Sequence, residues 1–216
     1  MNEIINNGKE VIRIEAEAIA DLQNSINEDF VNAVQTIFTS SGRVVLTGMG
    51  KSGLIARKIV ATLNSTGTAA IYLHPTDALH GDLGMVRSED VVILISKSGE
   101  TEEIFNLLPM LKRLNVKLIA MSGNKESKLA KECDIFLNIS VKEEACPYDL
   151  APTASTTATL ALGDALAVSL LKKRNFTAKD FAFLHPGGSL GKRLSLKIKE
   201  VMIIGEKIPR VNTETS

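Results

Sequence analysis

The chain has 216 residues, 44% of them hydrophobic and 23% charged, the profile of an ordinary globular protein long enough for one α/β domain. Lys plus Arg and Asp plus Glu each total 25, so the basic excess that serves nucleic acid or an anionic membrane is absent. The N-terminus carries charges every few residues and reads as neither signal peptide nor membrane span, which leads us to expect a cytoplasmic protein; Cys133 and Cys146 form neither a disulfide framework nor a zinc spacing.

Apolar residues at helical spacing (Ile4, Ile5, Val11, Ile12 and Ile14, then Phe30, Val31, Val34, Ile37 and Phe38) predict two amphipathic helices over 3–39. Short apolar runs follow at 43–47, 69–73, 91–95, 117–121 and 134–139, with helical patterns between them at 53–65, 102–114 and 125–132. Continuous apolar runs fit strands buried on both faces, and strand–helix alternation fits a parallel sheet. The expected fold is a three-layer α/β/α sandwich around a five-stranded parallel sheet of flavodoxin-like order. A long small-residue helix follows at 153–173; Asp164, Gly163 and its many hydroxyls favour a packed interior helix over a membrane span. We assign residues 1–195 to the domain and 196–216 to a linker-like tail.

The first strand empties into "TGMGKSG", the manner in which a nucleotide-binding P-loop begins. Walker A spacing needs a glycine where this chain has Val45, inside the strand. The loop is too short to wrap a triphosphate, but glycines and a helix N-terminus suit one phosphate. A second loop, "SKSGET" at 96–101, repeats the pattern after the third strand. In a 2-1-3-4-5 sheet the two loops flank the topological switch point, where ligands bind. Ser52, Ser96, Ser98 and Thr101 are therefore the candidate phosphate ligands.

Three histidines, His74, His80 and His185, stand in predicted loops beside Pro or Gly. Glu103 opens the helix after the second phosphate loop, Glu144 follows the last strand, and Lys51 lies in the first loop, so all three could face one crevice. His74 and His80 have no clear third ligand for a required metal. Asp77, Asp82 and Asp149 are left without a role.

Taken together, "GMGKSG", "STGT", "HPTDALHGDLGM", "ISKSGET", "EEACP" with "DLAPTASTTATLALGDALA", and "HPGGSLGKRL" resemble the D-arabinose-5-phosphate isomerases of the sugar isomerase (SIS) domain family, over residues 10–195. The resemblance implies interconversion of D-ribulose 5-phosphate and D-arabinose 5-phosphate for 3-deoxy-D-manno-octulosonate and lipopolysaccharide synthesis. It places catalytic roles on Lys51, Glu103, Glu144 and His185, with His80 at the substrate, and adds Gly67 and Thr68 of "STGT" to the substrate-binding set. It implies no required cofactor, an inhibitory zinc at His74, and a homotetramer with shared sites in which His80 and His185 would belong to different chains. No nucleic acid or membrane partner is expected. Relatives commonly continue into a pair of cystathionine-beta-synthase-type repeats, and "VMIIGEKIPRV" resembles the start of the first.

The expected chemistry is aldose–ketose exchange through a cis-enediol, with a base moving a proton between C1 and C2 and a partner shuttling hydroxyl protons. Glu103 and His185 are both candidates for the carbon base; we favour His185 and His80 for proton handling, Glu103 as alternate base or orienter, and Lys51 against enediolate charge. The rivals are a non-catalytic phosphosugar sensor and an isomerase of another sugar phosphate, such as glucosamine 6-phosphate.

Overall fold

The computed structural model describes residues 2–187, 202, 203 and 208; the tail over 196–216 otherwise lies outside the described residues. The chain divides into two compact units, Met1–Phe176 and Thr177–Ser216. The first ends short of residue 195.

Two helices open the first unit, α1 (Asn2–Asp21) and α2 (Glu28–Thr39). Asn27 starts α2 by accepting hydrogen bonds from the backbone N–H groups of Asp29 and Phe30, a side-chain N-cap. The strands are β1 (Val44–Gly48), β2 (Ala70–Tyr72), β3 (Val91–Ser96), β4 (Lys117–Ser122) and β5 (Ile135–Asn138), each within one residue of its predicted bounds. They form a single parallel sheet in the order β2-β1-β3-β4-β5. Between them run α3 (Gly50–Ser65), α4 (Pro75–Leu79), α5 (Glu102–Arg113) and α6 (Lys128–Glu132), and α7 (Ala154–Lys173) follows β5.

Strand alternation divides the core. Val44, Leu46, Ile93, Ile95, Ile119 and Met121 face a cluster completed by α2, α3 and α7. Val45, Val92, Leu94, Leu118 and Ala120 face a second, completed by α4, α5 and α6. Burial on both faces is why the strands read as unbroken apolar runs. Each fully buried Leu or Ile of this kind stabilises the fold by roughly 1.5–3 kcal/mol.

Among the described residues α7 is long and apolar enough to cross a membrane, yet it is a core helix, burying Ala158, Leu162, Leu166 and Leu170. Gly163 lets it approach α3 so closely that a methyl group there would collide with Ile59. Helix α1 is amphipathic, as its apolar spacing predicts. Its apolar stripe is not covered by its own chain, since Ile4 is 78% and Ile12 69% exposed and Ala18 is the buried residue of the helix.

Helix α3 ends in a Schellman motif. Gly67 has φ +85, Thr68 N–H reaches Leu63 O at 2.9 Å, and Gly67 N–H reaches Asn64 O at 3.4 Å. A side chain on Gly67 would both occupy the left-handed region and meet the Phe176 ring at 2.5 Å. Gly67→Ala is therefore expected to lower stability by about 1–2 kcal/mol, measured as a shift in the urea midpoint at unchanged slope.

Candidate functional site

In this strand order β1 and β3 are neighbours whose following helices leave for opposite faces of the sheet, opening a crevice at their carboxyl ends. The register pairs Gly48 with Ile95, so the β1–α3 and β3–α5 loops start side by side. The first is short: Met49 caps α3, and the helix begins at Gly50, three residues before the helical pattern at 53–65. Lys51, exposed, and Ser52, half-buried, thus stand in its first turn. Tyr72 at the end of β2 braces this loop by donating to Gly48 O at 2.8 Å, with the Arg57 guanidinium over its ring at 4.2 Å.

The second loop is held by its own hydroxyls. Ser96 Oγ and Thr101 Oγ1 lie 2.7 Å apart, Gly99 N–H donates to Ser96 Oγ at 3.1 Å, and Glu100 N–H to Ser98 Oγ at 3.1 Å. Gly99, at φ +70, packs so tightly on Ser127 that no side chain fits there. The Lys97 carbonyl accepts from Gly123 N–H at 2.9 Å, tying the loop to the end of β4. Thr101 then caps α5, which puts Glu103 half-buried in that helix's first turn. Two helix N-termini and four hydroxyl-bearing residues thus stand at adjacent strand tips, groups of the kind that attract an anion.

His74 and His80 do not sit in an irregular loop: they are the N-cap and C-cap of α4. The sequence between them follows helical rules, with Pro75 at the first position, but five residues are too few for periodicity to reveal. Because α4 follows β2 and joins the same apolar cluster as α5, His80 is carried on a helix adjoining that of Glu103. His74 is half-buried with the Asp77 carboxylate 3.8 Å from its Nδ1. Among the described residues no three His, Cys, Asp or Glu side chains are grouped to hold a metal, so this chain's own residues do not fit a zinc centre at His74.

Gly67 and Thr68, the other two residues of the expected substrate-binding set, stand apart from these loops within the chain. They precede β2, which pairs Ala70 with Val44 at the start of β1, and so stand at the amino end of the sheet. Gly67 terminates α3, and the buried Thr68 accepts from Arg174 Nε at 3.3 Å. His185 belongs to the second unit, described by itself. There α8 (Ala178–Leu184) opens with a Thr177–Asp180 capping box and ends at His185, whose ring stacks on Phe181 at 3.9 Å. Its Nδ1 lies 2.8 Å from Phe181 O; donation to that carbonyl makes Nε2 the basic nitrogen of the neutral ring.

Glu144 is 4% exposed, in the connection from β5 to α7. Its Oε2 accepts from Thr153 N–H at 2.8 Å, Thr153 Oγ1 at 3.2 Å and Ser155 N–H at 3.1 Å, and its Oε1 lies 2.7 Å from Lys97 Nζ. Burial pushes against ionisation, but the Lys97 ammonium and the Ser155 and Thr153 donors outweigh it and hold the pKa at about 2. Asp149 joins the group: its Oδ1 accepts from Glu144 N–H at 2.8 Å and its Oδ2 is 3.7 Å from Lys97 Nζ. Sequence reasoning passed over both Lys97 and Asp149.

The family described as "SIS domain" matches residues 37–169. The chain is 52% identical to arabinose 5-phosphate isomerase KdsD of Pseudomonas aeruginosa over 99% of its length and 66% of that protein. It is 54% identical to KdsD of Escherichia coli K12, over 97% of its length and 64% of that protein. It thus spans slightly under two thirds of these curated relatives. The solved structure of an Escherichia coli CFT073 protein in complex with arabinose 5-phosphate superposes with a TM-score of 0.83 at 44% identity, covering 86% of this chain and 98% of that one.

The Glu144 carboxyl is more acidic folded than its ordinary value of 4.5, so it contributes stability that is complete above that value and is lost as pH falls toward 2. In denaturant melts, Glu144→Gln is expected to be less stable than the parent at pH 7, with the gap closing between about pH 4.5 and 2. A gap independent of pH would contradict the assignment.

Proposed function

The chain belongs to the SIS domain family, and from that premise we propose that it is an aldose–ketose isomerase interconverting D-ribulose 5-phosphate and D-arabinose 5-phosphate, supplying 3-deoxy-D-manno-octulosonate for lipopolysaccharide. The observation that carries this reading is the Gly48–Ile95 register, which sets two hydroxyl-rich helix starts side by side with Lys51 and Glu103 in their first turns. The identity to the KdsD enzymes supports the choice of pentose phosphate.

In the proposed reaction Ser52, Ser96, Ser98 and Thr101 hold the 5-phosphate and the open-chain sugar extends from it. A base removes the C2 proton of the aldose, or a C1 proton of the ketose, and returns it to the other carbon. Hydroxyl protons pass between O1 and O2, so the carbon skeleton is oxidised at one end and reduced at the other with no external redox partner. Lys51 stabilises the enediolate. His185 and His80 handle the protons, with Glu103 as alternate carbon base or orienter. No metal-dependent step is proposed, and zinc at His74 enters only as an inhibitor completed by donors outside this chain. The protein is proposed to act in the cytoplasm as a homotetramer with shared sites, supported by the uncovered stripe of Ile4, Ile5 and Ile12 on α1.

In a coupled assay the protein is expected to turn over ribulose 5-phosphate well ahead of glucosamine 6-phosphate and other hexose phosphates. Binding without turnover would mark a sensor instead. In deuterated water, His80→Ala and His185→Ala are each expected to slow exchange at C2 by roughly 10²–10⁴-fold; full exchange in both would reject the proton-handling assignment.

Sedimentation equilibrium is expected to give four times the chain mass, reduced by Ile12→Glu, and a monomer would contradict the shared-site assembly.

A further inference from the structure

The Lys97–Glu144 pair joins the β3–α5 loop to the connection between β5 and α7. A base in this reaction must point a vacant lone pair at carbon. Glu144 is poorly placed for that: Thr153 N–H, Thr153 Oγ1 and Ser155 N–H all converge on its Oε2, and its Oε1 faces the Lys97 ammonium at 2.7 Å. Its side chain is 0% exposed, while that of Lys97 is 39% exposed.

Lys97 is equally committed. It stands between two candidate phosphate ligands, Ser96 and Ser98, yet its ammonium faces Glu144 at 2.7 Å and Asp149 at 3.7 Å. Its carbonyl is fixed to β4 through Gly123 N–H and its ammonium to the start of α7, so one residue bolts the loop to both sides. Such half-buried pairs add little net stability compared with apolar residues, because desolvation offsets attraction, but they fix geometry strongly. Asp149 reinforces the bolt at the expense of backbone strain: it and Tyr148 adopt φ of +59 and +63, conformations that persist only where surroundings impose them.

We propose that Lys97 and Glu144 form a strut joining the Ser96–Thr101 loop to the start of α7, and that both are positioning residues for phosphate binding, with Glu144 carrying no proton in turnover. This refines the catalytic role that family resemblance implies for Glu144. It rests on the proposed isomerase reading only for its kinetic readout; the phosphate readout stands apart.

The test is a double-mutant cycle on the full chain with Lys97→Met, Glu144→Gln and the two combined, plus Lys97→Arg. Inorganic phosphate binding by calorimetry is read first, then KM and kcat for ribulose 5-phosphate across pH. Each single change is expected to weaken phosphate binding and raise KM by about 10-fold, the double change to be no worse than the worse single, and Lys97→Arg to recover most of the loss. The larger share of each effect should fall on KM, and the acid limb of the kcat profile should stay where it is. The strut is overturned if Glu144→Gln lowers kcat by about 100-fold or more with phosphate affinity intact, if it moves that limb, or if the single effects multiply in the double variant. If Glu144→Gln does not fold, Lys97→Met decides the matter, because it leaves Glu144 its donors on α7: unaltered phosphate affinity overturns the strut. A parent protein inactive on ribulose 5-phosphate would defeat the isomerase reading, while phosphate affinities across the variants would still decide the strut.

Discussion

The structure depends on one constraint of parallel sheets: wherever the direction of winding reverses, two adjacent strands send their helices to opposite faces. Here that place is the boundary between β1 and β3. Pairing Gly48 with Ile95 sets the loops that follow side by side, and neither α3 nor α5 can close the gap. Peptide N–H groups at both helix starts, with Ser and Thr hydroxyls around them, then face a common space without any excess of positive charge in the chain. An overall balance of 25 basic and 25 acidic residues is compatible with anion binding because the backbone supplies the field.

The loops themselves are rigid by different means. The β1–α3 loop is short and braced from β2 by the Tyr72 hydroxyl. The β3–α5 loop is longer and relies on internal hydroxyl bonds, on Gly99 pressed against Ser127, and on the two-sided fastening of Lys97. Organisation of this kind matters for a small ligand, because ordering a floppy loop on binding would cancel much of what a phosphate contact contributes. The charge of Glu144 helps fix that loop and the first turn of α7 together, so that its acidity is a consequence of its mechanical position.

Much of the architecture was legible. Five strands were readable because each is buried on both faces and forms an unbroken apolar run, and the flavodoxin-like order assumed for them is the one observed. The short helix α4 was hidden, since five residues bounded by His74 and His80 show no period. The spacing of α1 showed that one face is apolar but not what lies against it. The helix-ending role of Gly67 was not legible either, because the Schellman hydrogen bonds that explain it are visible only in three dimensions. Lys97 was overlooked beside more conspicuous serines. The link from Glu144 to Lys97 spans α5, β4, α6 and β5, beyond any local pattern.

The central claim is that adjacent strand tips at the switch point grip one phosphoryl group. Its most direct test is the position of that group in a crystal of this protein soaked with arabinose 5-phosphate. The account predicts phosphoryl oxygens within hydrogen-bond distance of the Ser52 turn and of the Ser96–Thr101 loop together, with the sugar chain extending toward Lys51 and Glu103. Phosphorus density at the amino end of the sheet, beside Gly67 and Thr68, or on one loop alone, would contradict it.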